Sequence, residues 1–358
     1  NRNKIINGEA QVSQRGTISD HGTSVKYTAV DRFATRIGSS FNFDVTSSQS
    51  TDAPAGFYKS LKLTPDSTQT PSGSQNGGFQ TKIEGQDIQD FGFGSSSAKP
   101  ITISFYAKSG SSGAGTYSLD IRAVPAAGGS DYIQTRAFTV TSSWQRFTFT
   151  LEANGLSTSS SLVNNNTRGF TIIWHLASGP DDQEAAKTTW VADGSMKTVS
   201  GMSNFMSSTA NEFYITGMQL EAGSTATDFE HRSFGQELAL CQRYFQILSS
   251  NTTGGLNAHS RYPALGNGTN SAIWYCYHKQ TMRAKPSLVL NNITSTTVEV
   301  FNYSTSGGCT FQSASMAEGD ENHSQINIAT TGGLTTASIA CWRFSNNGDC
   351  HWAVNSEI

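Results

Sequence analysis

The chain has 358 residues, of which 14% are charged and 34 are glycine, and its net charge is −3 at pH 7. Its 24 lysines and arginines are scattered, which argues against a nucleic-acid-binding protein because phosphate neutralisation needs clustered cations. A chain of this length most often holds two cores, and without a run of about 18 apolar residues it is not expected to span a membrane. The first residues also lack the apolar segment of a signal peptide.

The first part of the sequence predicts short β-strands. Residues 1–22 form an arm or first strand that could not fold alone, and alternating apolar segments follow from Tyr27 onward, separated by Gly, Ser, Pro and Asn clusters. This pattern is typical of a β-sandwich or barrel. The clearest predicted strands are 101–107, 117–124, 144–151, 169–176 and 212–221, and the long loops are 64–78, 154–168 and 177–211. Gly217, inside the last of these strands, indicates a bulge or a close approach.

A single helix is predicted between two β units. Ser233 followed by Gln236 forms a capping box, and Leu238, Cys241 and Phe245 have helical spacing, so we expect a helix from about 235 to 247. Strand patterns return at 272–278, 288–290, 297–303, 326–330 and 337–344. The sequence therefore predicts an all-β protein with an arm (1–22), a β domain (23–232), a linking segment (233–247) and a smaller C-terminal β domain (248–358).

All five cysteines lie in the last third of the chain: Cys241, Cys276, Cys309, Cys341 and Cys350. An odd number without a C-x-x-C pair fits neither a disulfide framework nor a zinc site. We therefore expect reduced cysteines that act as small apolar residues.

The sequence predicts no enzyme, no metal site and no cofactor. The sequence contains no nucleophile elbow, zinc-protease, P-loop or dinucleotide motif. The carboxylate pairs Asp87 with Asp90 and Asp181 with Asp182 would suit glycan hydrolysis only at the right separation, and loop acids are mostly solvated. His231, between Glu230 and Arg232, is interpreted as part of a polar junction before the helix, with metal binding or a base as the alternative.

Several motifs together resemble a widespread group of bacteriophage virion proteins. They are Asn3–Glu9, Ser13–Gly16, Asp31–Phe33, Ser104–Lys108, Trp144–Arg146, Ile215–Ser233 and the helix segment 237–245. Members are commonly described as tail-fibre or structural proteins, many from aquatic phages. The resemblance runs in order through residues 1–246 and is less distinct in 247–358.

The middle of this region is also similar to the jelly-roll carbohydrate-binding modules. In those modules a strand like Ser104–Lys108, a Trp-Gln strand and a late strand like Tyr214–Leu220 recur. The resemblance implies a jelly-roll sandwich for residues 23–232. Thr216 and Gly217 stand where those modules often have a metal-binding acid, so no calcium is expected there.

Exposed aromatic rings are the usual platforms for sugars, and three residues in or beside the long loops are the candidates: Tyr132, Trp174 and Trp190. Core packing is the alternative for each, and Trp144 is predicted to be a core residue. The C-terminal domain is rich in aromatics, and Trp274, Tyr275, Tyr277, Trp342 and Trp352 are predicted to include an interface or receptor surface.

These resemblances imply a non-enzymatic virion structural protein, displayed as a tail fibre or tail-associated adhesin that binds host-surface glycans. Its expected partners are other virion proteins and further copies of itself in a homotrimer, with no nucleic acid and no membrane insertion. A capsid decoration protein anchored by residues 1–22 is the main alternative. A glycan depolymerase is a third.

Overall fold

A computed structural model describes residues 2–153, 161–195, 197–251, 262–291, 298–302, 307–334, 339–344 and 350–358, with only the backbone described for strand residues beside several gaps. The chain forms two compact units, residues 1–238 with Ile358 and residues 239–357. Strands dominate both units, so the predicted all-β class is confirmed. No helix in the described ranges is long and apolar enough to cross a membrane.

The first unit is a sandwich of two antiparallel sheets. Its strands are β1 (Phe33–Gly38), β2 (Val45–Ser50), β3 (Ser60–Pro65), β4 (Asn76–Glu84), β5 (Ile101–Ser109), β6 (Gly115–Ala123), β7 (Tyr132–Val140), β8 (Gln145–Leu151), β9 (Arg168–Ser178), β10 (Gln183–Glu184), β11 (Val191–Ala192), β12 (Thr198–Val199) and β13 (Phe213–Ala222). Short 3₁₀ helices occur at Gly85–Phe91, Pro180–Asp182 and Phe205–Ser207.

Sheet I has the order β1-β4-β9-β6-β7-β11 and sheet II the order β2-β3-β13-β5-β8, while β10 and β12 form a small parallel pair. The chain crosses repeatedly from one sheet to the other, which is the jelly-roll arrangement that the sequence predicts. The predicted loop 177–211 contains β10, β11 and β12, and β11 pairs with β7 to form the edge of sheet I. Part of the predicted loop 154–168 lies outside the described residues.

Alternation along the strands explains why the two sheets pack. In β5, Ile101, Ile103, Phe105 and Ala107 all turn into the core, as the period-two pattern predicts. At the centre of the core, Trp174 of β9 stacks on Phe79 of β4 with ring centroids 5.0 Å apart and meets Phe105 edge-on at 5.8 Å. Aromatic pairs of this kind add to the burial energy that holds the sandwich together.

The bulge predicted at Gly217 is confirmed. The pairing of β13 with β5 shifts its register between Thr216 and Gln219, and Gly217 has a φ of 63°. A Cβ atom there would lie 2.8 Å from the Phe57 ring and 2.9 Å from the Tyr106 ring. Only glycine fits this combination of a left-handed backbone and close aromatic neighbours.

The arm lies along β13 at this bulge. The Lys4 N–H donates to the Leu220 carbonyl at 2.9 Å, and the Met218 N–H donates to the Gly8 carbonyl at 2.9 Å. Ile5 belongs to the core of the sandwich. The arm is thus an integral part of the first unit.

The helix α1 (Phe234–Gln242) is shorter than the predicted 235–247. Its start matches the expected capping box, because the Gln236 N–H donates to the Ser233 hydroxyl and the Ser233 N–H donates to the Gln236 side chain. It ends early because residues from Phe245 onward pair with a C-terminal strand, beginning with the pair Phe245 and Asn355. The sheet hydrogen bonds replace those of the expected last helical turn.

The second unit contains a closed barrel and a three-stranded sheet. Its strands are β14 (Phe245–Asn251), β15 (Tyr262–Gly266), β16 (Ser271–Tyr277), β17 (Ser287–Asn291), β18 (Val298–Asn302), β19 (Gly307–Gly319), β20 (His323–Thr330), β21 (Ile339–Phe344) and β22 (Cys350–Asn355). The barrel order is β15-β16-β20-β19-β18-β21, and the sheet order is β14-β22-β17. Cys276 and Cys309 in the barrel and Cys241 in α1 are buried and form no disulfide with a described residue, and the side chains of Cys341 and Cys350 lie outside the described residues.

Candidate functional site

The three aromatic residues predicted to bind sugars do not present free ring faces. Trp174 is fully buried and stacked on Phe79, and Trp190 is 2% exposed and packs edge-on against Phe93. Tyr132 is half-buried against the same core from the inner face of β7. Trp174 and Trp190 are therefore corrected to core residues, since their apolar rings are covered by the facing sheet and its loops.

Trp144 is a correction in the opposite direction. It was predicted in the core, but it is half-buried, and its indole N–H donates to the Asp52 carboxylate at 3.0 Å. The Lys108 ammonium lies over its ring, 5.6 Å from the centroid. Trp144 thus belongs to a polar network at the edge of sheet II, where an acid and a lysine satisfy both its ring face and its N–H.

The aromatic residues of the second unit are either buried or exposed, because alternate residues of a barrel strand face the interior and the outside. Trp274 and Trp352 are buried and meet edge-on at 5.7 Å, which corrects their assignment to a surface. Tyr275 and Tyr277, on the other face of β16, are 55% and 85% exposed. The side chain of Trp342 lies outside the described residues.

The acidic pairs considered for hydrolysis lie in separate surroundings. Asp87, Asp90 and Asp181 are exposed. Asp182 is buried, and its carboxylate accepts a hydrogen bond from the Asn76 amide at 2.7 Å. A buried acid with such a partner is a structural group of the loop that follows β9.

The charged cluster before the helix holds the arm. The Arg232 guanidinium donates to the main-chain carbonyls of Asn3 and Ile5. The ring of His231 contacts the Glu9 carboxylate, with 2.9 Å between Nδ1 and Oε2. These contacts are those of a polar junction, the interpretation that the sequence favours.

The outer face of sheet I brings together polar side chains from four strands. Strand register creates three cross-strand rows, which are Lys82, Thr171 and Arg122; Gln80, Ile173 and Asp120; and Arg36, Gly78, His175 and Ser118. The alternate residues of the same strands turn inward to the core. The outer face of sheet I is thus polar in the middle, and it is partly covered there by Ser195 and Val199, which bond Arg122 and Ser118.

Two adjoining hollows open on this face, and together we call them the basic trough. The first, of about 330 Å³, is lined by Arg36, Gln80, Lys82, Arg122, Asp131, Arg168, Thr171, Ile173 and Gly194. The second, of about 370 Å³, is lined by Arg36, Ile37, Gly38, Ser39, Ser74, Asn76, Asp182, Ser195 and Lys197. Volumes of roughly 300 to 1,000 Å³ are usual for sites that hold small ligands.

Two of the arginines in the basic trough are already paired. Arg168 donates to both carboxylate oxygens of Asp131, at 2.8 and 3.1 Å. Arg122 is buried, donates to Asp120 at 2.8 Å from Nε and donates to the Ser195 carbonyl at 2.6 Å. Their charges are balanced locally, and they fix the floor and one wall of the trough.

Arg36 differs from them because no described residue bonds its guanidinium. Its Nε is buried and has no hydrogen-bond acceptor among those residues. Burial, and next the charge of Arg122, lower the pKa of Arg36; Asp120 acts in the opposite direction, and Arg168 lowers it slightly further. It is also the one residue that lines both hollows. An unbalanced cation therefore lies at the centre of the basic trough.

Below the trough, His175 is fully buried, and neither of its ring nitrogens has a hydrogen-bond partner among the described residues. Burial lowers its pKa below the usual value, against a smaller opposite effect of Asp120, so the ring is neutral at pH 7. Gln80 is 5% exposed, makes no side-chain hydrogen bond with described residues and lines the first hollow. An amide offers both a donor and an acceptor to a ligand.

Oxygen ligands for a cation converge elsewhere in the first unit. The carboxylates of Asp20, Asp44 and Asp66 lie within 4.8 Å of one another, the one such group of three among the described residues. Oxygen sets of this kind suit hard cations such as calcium. The Thr46 hydroxyl already donates to Asp66 at 2.7 Å, and the Gly22 N–H donates to Asp44 at 3.3 Å.

The basic trough is not recognisable in the sequence, because most of its cations come from β1, β4, β6 and β9 and look scattered along the chain. A signal was present in β6, where Asp120 and Arg122 alternate with Leu119 and Ile121. Charged residues at every second position of a strand whose other face is apolar indicate a polar outer face of the sheet.

No known family model matches the chain, and no curated protein matches it. Among solved structures, it is similar to the family 11 carbohydrate-binding module of a cellulosomal cellulase of Clostridium thermocellum, at 12% identity and a TM-score of 0.30, over 58% of this chain and 99% of that one. It is similar to the CBM22-1 xylan-binding domain of a Paenibacillus barcinonensis protein at 10% identity and a TM-score of 0.29, over 63% of this chain and 99% of that one.

A third similar structure is the enzymatically active domain of tailspike protein 4 of bacteriophage CBA120. It has 11% identity and a TM-score of 0.31, over 62% of this chain and 21% of that one. The match thus spans about a fifth of the length of the tailspike chain. Similar structures with such low identities and TM-scores identify no ligand for this chain. The ligand is therefore assigned from the side chains of the basic trough.

Proposed function

We propose that the first unit binds a segment of a glycan in the basic trough of sheet I. The observation that carries this proposal is the open polar trough itself, in which Arg36 and Gln80 have hydrogen-bonding groups without partners among the described residues. Sugar hydroxyls both donate and accept hydrogen bonds, which matches an amide and a guanidinium on a rigid sheet. The carbohydrate-binding modules that resemble this chain in sequence support the same ligand class.

The glycan is bound without being cleaved. Hydrolysis uses two carboxyl groups, one of them protonated and free to donate to the leaving oxygen. In the basic trough, Asp131 is held by Arg168, and Asp120 is buried against Arg122. Both oxygens of Asp131 accept from Arg168, and Asp120 and Asp182 are buried, so none of these carboxyl groups is free to donate to a sugar oxygen. The binding site is therefore proposed as non-catalytic.

The role we propose for the whole chain is a tail fibre or tail-associated adhesin of a phage particle, with other virion proteins as partners. The sequence resemblance over residues 1–246 supports it. Individual glycan contacts in an open trough are weak, and several copies on one particle, in a homotrimer or a larger array, raise the avidity without any new contact. Electron microscopy of labelled particles tests this location, with label on the tail as the expected result and label over the capsid shell as the contrary one.

The binding proposal is tested by electrophoresis of the intact chain in gels that contain host-surface polysaccharide. We expect retardation of the wild type and a loss of affinity of about fivefold for Gln80→Ala, since one hydrogen-bonding amide is worth about 1 kcal/mol. Gln145→Ala, which removes an exposed amide from sheet II, is the matched control and should bind normally. Unretarded wild-type protein, or polysaccharide that becomes shorter during incubation, would contradict the proposal.

A further inference from the structure

The glycan ligand can be specified further from the charges in the basic trough. The lining of its two hollows includes five cations, Arg36, Lys82, Arg122, Arg168 and Lys197, against the carboxylates of Asp131 and Asp182, and Lys197 lies 3.8 Å from Asp182. Asp120 beneath balances Arg122, and Asp131 balances Arg168. The trough thus retains positive charge after every carboxylate in it has been paired.

This excess charge is centred on Arg36. Lys82 donates to the main-chain carbonyl of Ile358 at 2.7 Å, so part of its hydrogen-bonding capacity is used. Arg36 has no bond to the described residues, and the charges of Arg122 and Arg168 act against its own, while Asp120 offsets part of this effect. Burying a guanidinium beside like charges opposes its ionised form, and no hydrogen bond to a described residue compensates it. A cost of this kind is typical of a binding site.

On the basis of the proposed function, we infer that the basic trough selects acidic glycans and that Arg36 binds their anionic group, a carboxylate or a sulfate ester. A guanidinium has a planar set of donors that matches either group, and a neutral hydroxyl cannot compensate its charge. The terminal nitrogens of this guanidinium, which have no bond to the described residues, would donate to the anionic group from the lining of the trough. Because Arg36 lines both hollows, the anionic group would lie where two neighbouring sugars meet.

Direct contact of Arg36 with the glycan also predicts an effect on stability that a purely structural arginine would not show. Removing Arg36 relieves its burial and its repulsion with Arg122 and Arg168, which together exceed its attraction to Asp120, and Asp120 keeps its bond to Arg122. Arg36→Gln should therefore melt at the same temperature as the wild type or higher, while it binds acidic glycans more weakly. An arginine that served the fold would lower the melting temperature when replaced.

The test compares polymers that differ only in charge, by titration calorimetry with the full chain. Polygalacturonate against fully methyl-esterified pectin isolates the carboxylate, and dextran sulfate against dextran isolates the sulfate. We expect binding to at least one acidic polymer and a loss of affinity of about tenfold or more for its neutral counterpart. Arg36→Gln should lose about as much, Arg36→Lys should retain part of the affinity, and Lys99→Gln, the same charge change at an exposed site outside the trough, should change nothing.

Two results would overturn the inference while the proposed function stands. One is equal binding of a neutral polymer and its acidic counterpart, and the other is unchanged affinity in Arg36→Gln. Equal binding of inorganic polyphosphate would also overturn it, because the trough would then attract charge without recognising a sugar. Failure to bind any of these glycans or host-surface polysaccharide would contradict the inference and the proposed function together.

Discussion

The Glu230 carboxylate accepts a hydrogen bond from the main-chain N–H of Asn3 at 2.9 Å, joining the segment before α1 to the beginning of the arm. Its second oxygen accepts from the Arg2 N–H at 3.1 Å. Burial raises the pKa of Glu230, but the bonds from Asn3 and Arg2 outweigh this effect and lower the pKa below its usual value. The charged motif that the sequence singles out thus fastens the arm to the sandwich.

Replacing Glu230 with glutamine should destabilise the first unit. The variant retains one acceptor but turns an NH₂ group toward one of the two N–H donors, so we expect a loss of about 1 to 2 kcal/mol in the free energy of unfolding. Urea titration at pH 7 measures it, and Glu152→Gln, an exposed acid of the same unit, is the control. Because the pKa of Glu230 is lowered on folding, its contribution is present above pH 4.5 and disappears as the pH falls below that value. Equal stability of the two variants at pH 7 would exclude this role of Glu230.

His21 predicts a loss of stability in mild acid. It is fully buried beside Ser47, and burial, with a smaller effect of Lys26, lowers its pKa from 6.5 to about 4. The folded state then binds a proton less readily than the unfolded state, so the contribution of His21 is present above pH 6.5 and is lost as the pH falls toward 4. Between pH 7 and pH 5 the expected loss is about 2 kcal/mol.

Urea titrations of the wild type and His21→Gln at these two pH values test this effect. The variant should be less sensitive to pH than the wild type, although it retains the slope due to His175, whose pKa burial also lowers. The same pH dependence in both proteins would show that His21 is not the titrating group.

The bulge of β13 gives a direct test of a glycine requirement. Gly217→Ala should cost about 2 kcal/mol or more, because the new methyl group meets two aromatic rings and the backbone has a positive φ. Gly235→Ala is the matched control, since a Cβ atom there meets nothing within 4 Å and alanine favours the helix. Thermal melting compares the two, and a variant of Gly217 as stable as that of Gly235 would contradict the assignment of the bulge.

The exposed tyrosines of β16 test self-association. Tyr275 and Tyr277 point outward from the barrel beside Leu265, which is 53% exposed, so they form an apolar surface of the second unit. We expect the wild type to have the solution mass of a trimer and the double variant Tyr275→Ser, Tyr277→Ser to approach the chain mass of 38.4 kDa. Tyr58→Ser, at an equally exposed tyrosine of the first unit, should leave the mass unchanged. A wild type that is already monomeric, measured by light scattering, would refute the expected association.

The local pattern of apolar and polar residues predicts the fold better than it predicts the proposed binding site. Strands such as β5 and β6 are recognisable because their alternate residues are buried, and the capping box marks the start of α1. Strand β19, which begins Gly307-Gly308 and continues with small polar residues, gives no such pattern and is held by its pairing with β18 and β20. The pairing register between distant strands determines which residues meet. This register cannot be deduced from the spacing of residues in the sequence.

The same limitation explains the aromatic candidates. Trp174 lies in an almost continuously apolar strand, from which the inward and outward faces cannot be distinguished, and its inward position follows from its pairing with Phe79. Arg36 and Arg122 lie far apart in sequence and meet only because β1, β4, β9 and β6 are neighbours in sheet I. The chemistry of the site is therefore a product of the long-range topology.

The most direct test of the account is a crystal structure of the intact chain with an oligosaccharide derived from the polymer that it binds most tightly. We predict sugar density in the basic trough, with hydrogen bonds to Arg36 and Gln80. Density only on the outer face of the barrel at Tyr275 and Tyr277, with the trough empty, would contradict the claim that sheet I carries the binding site.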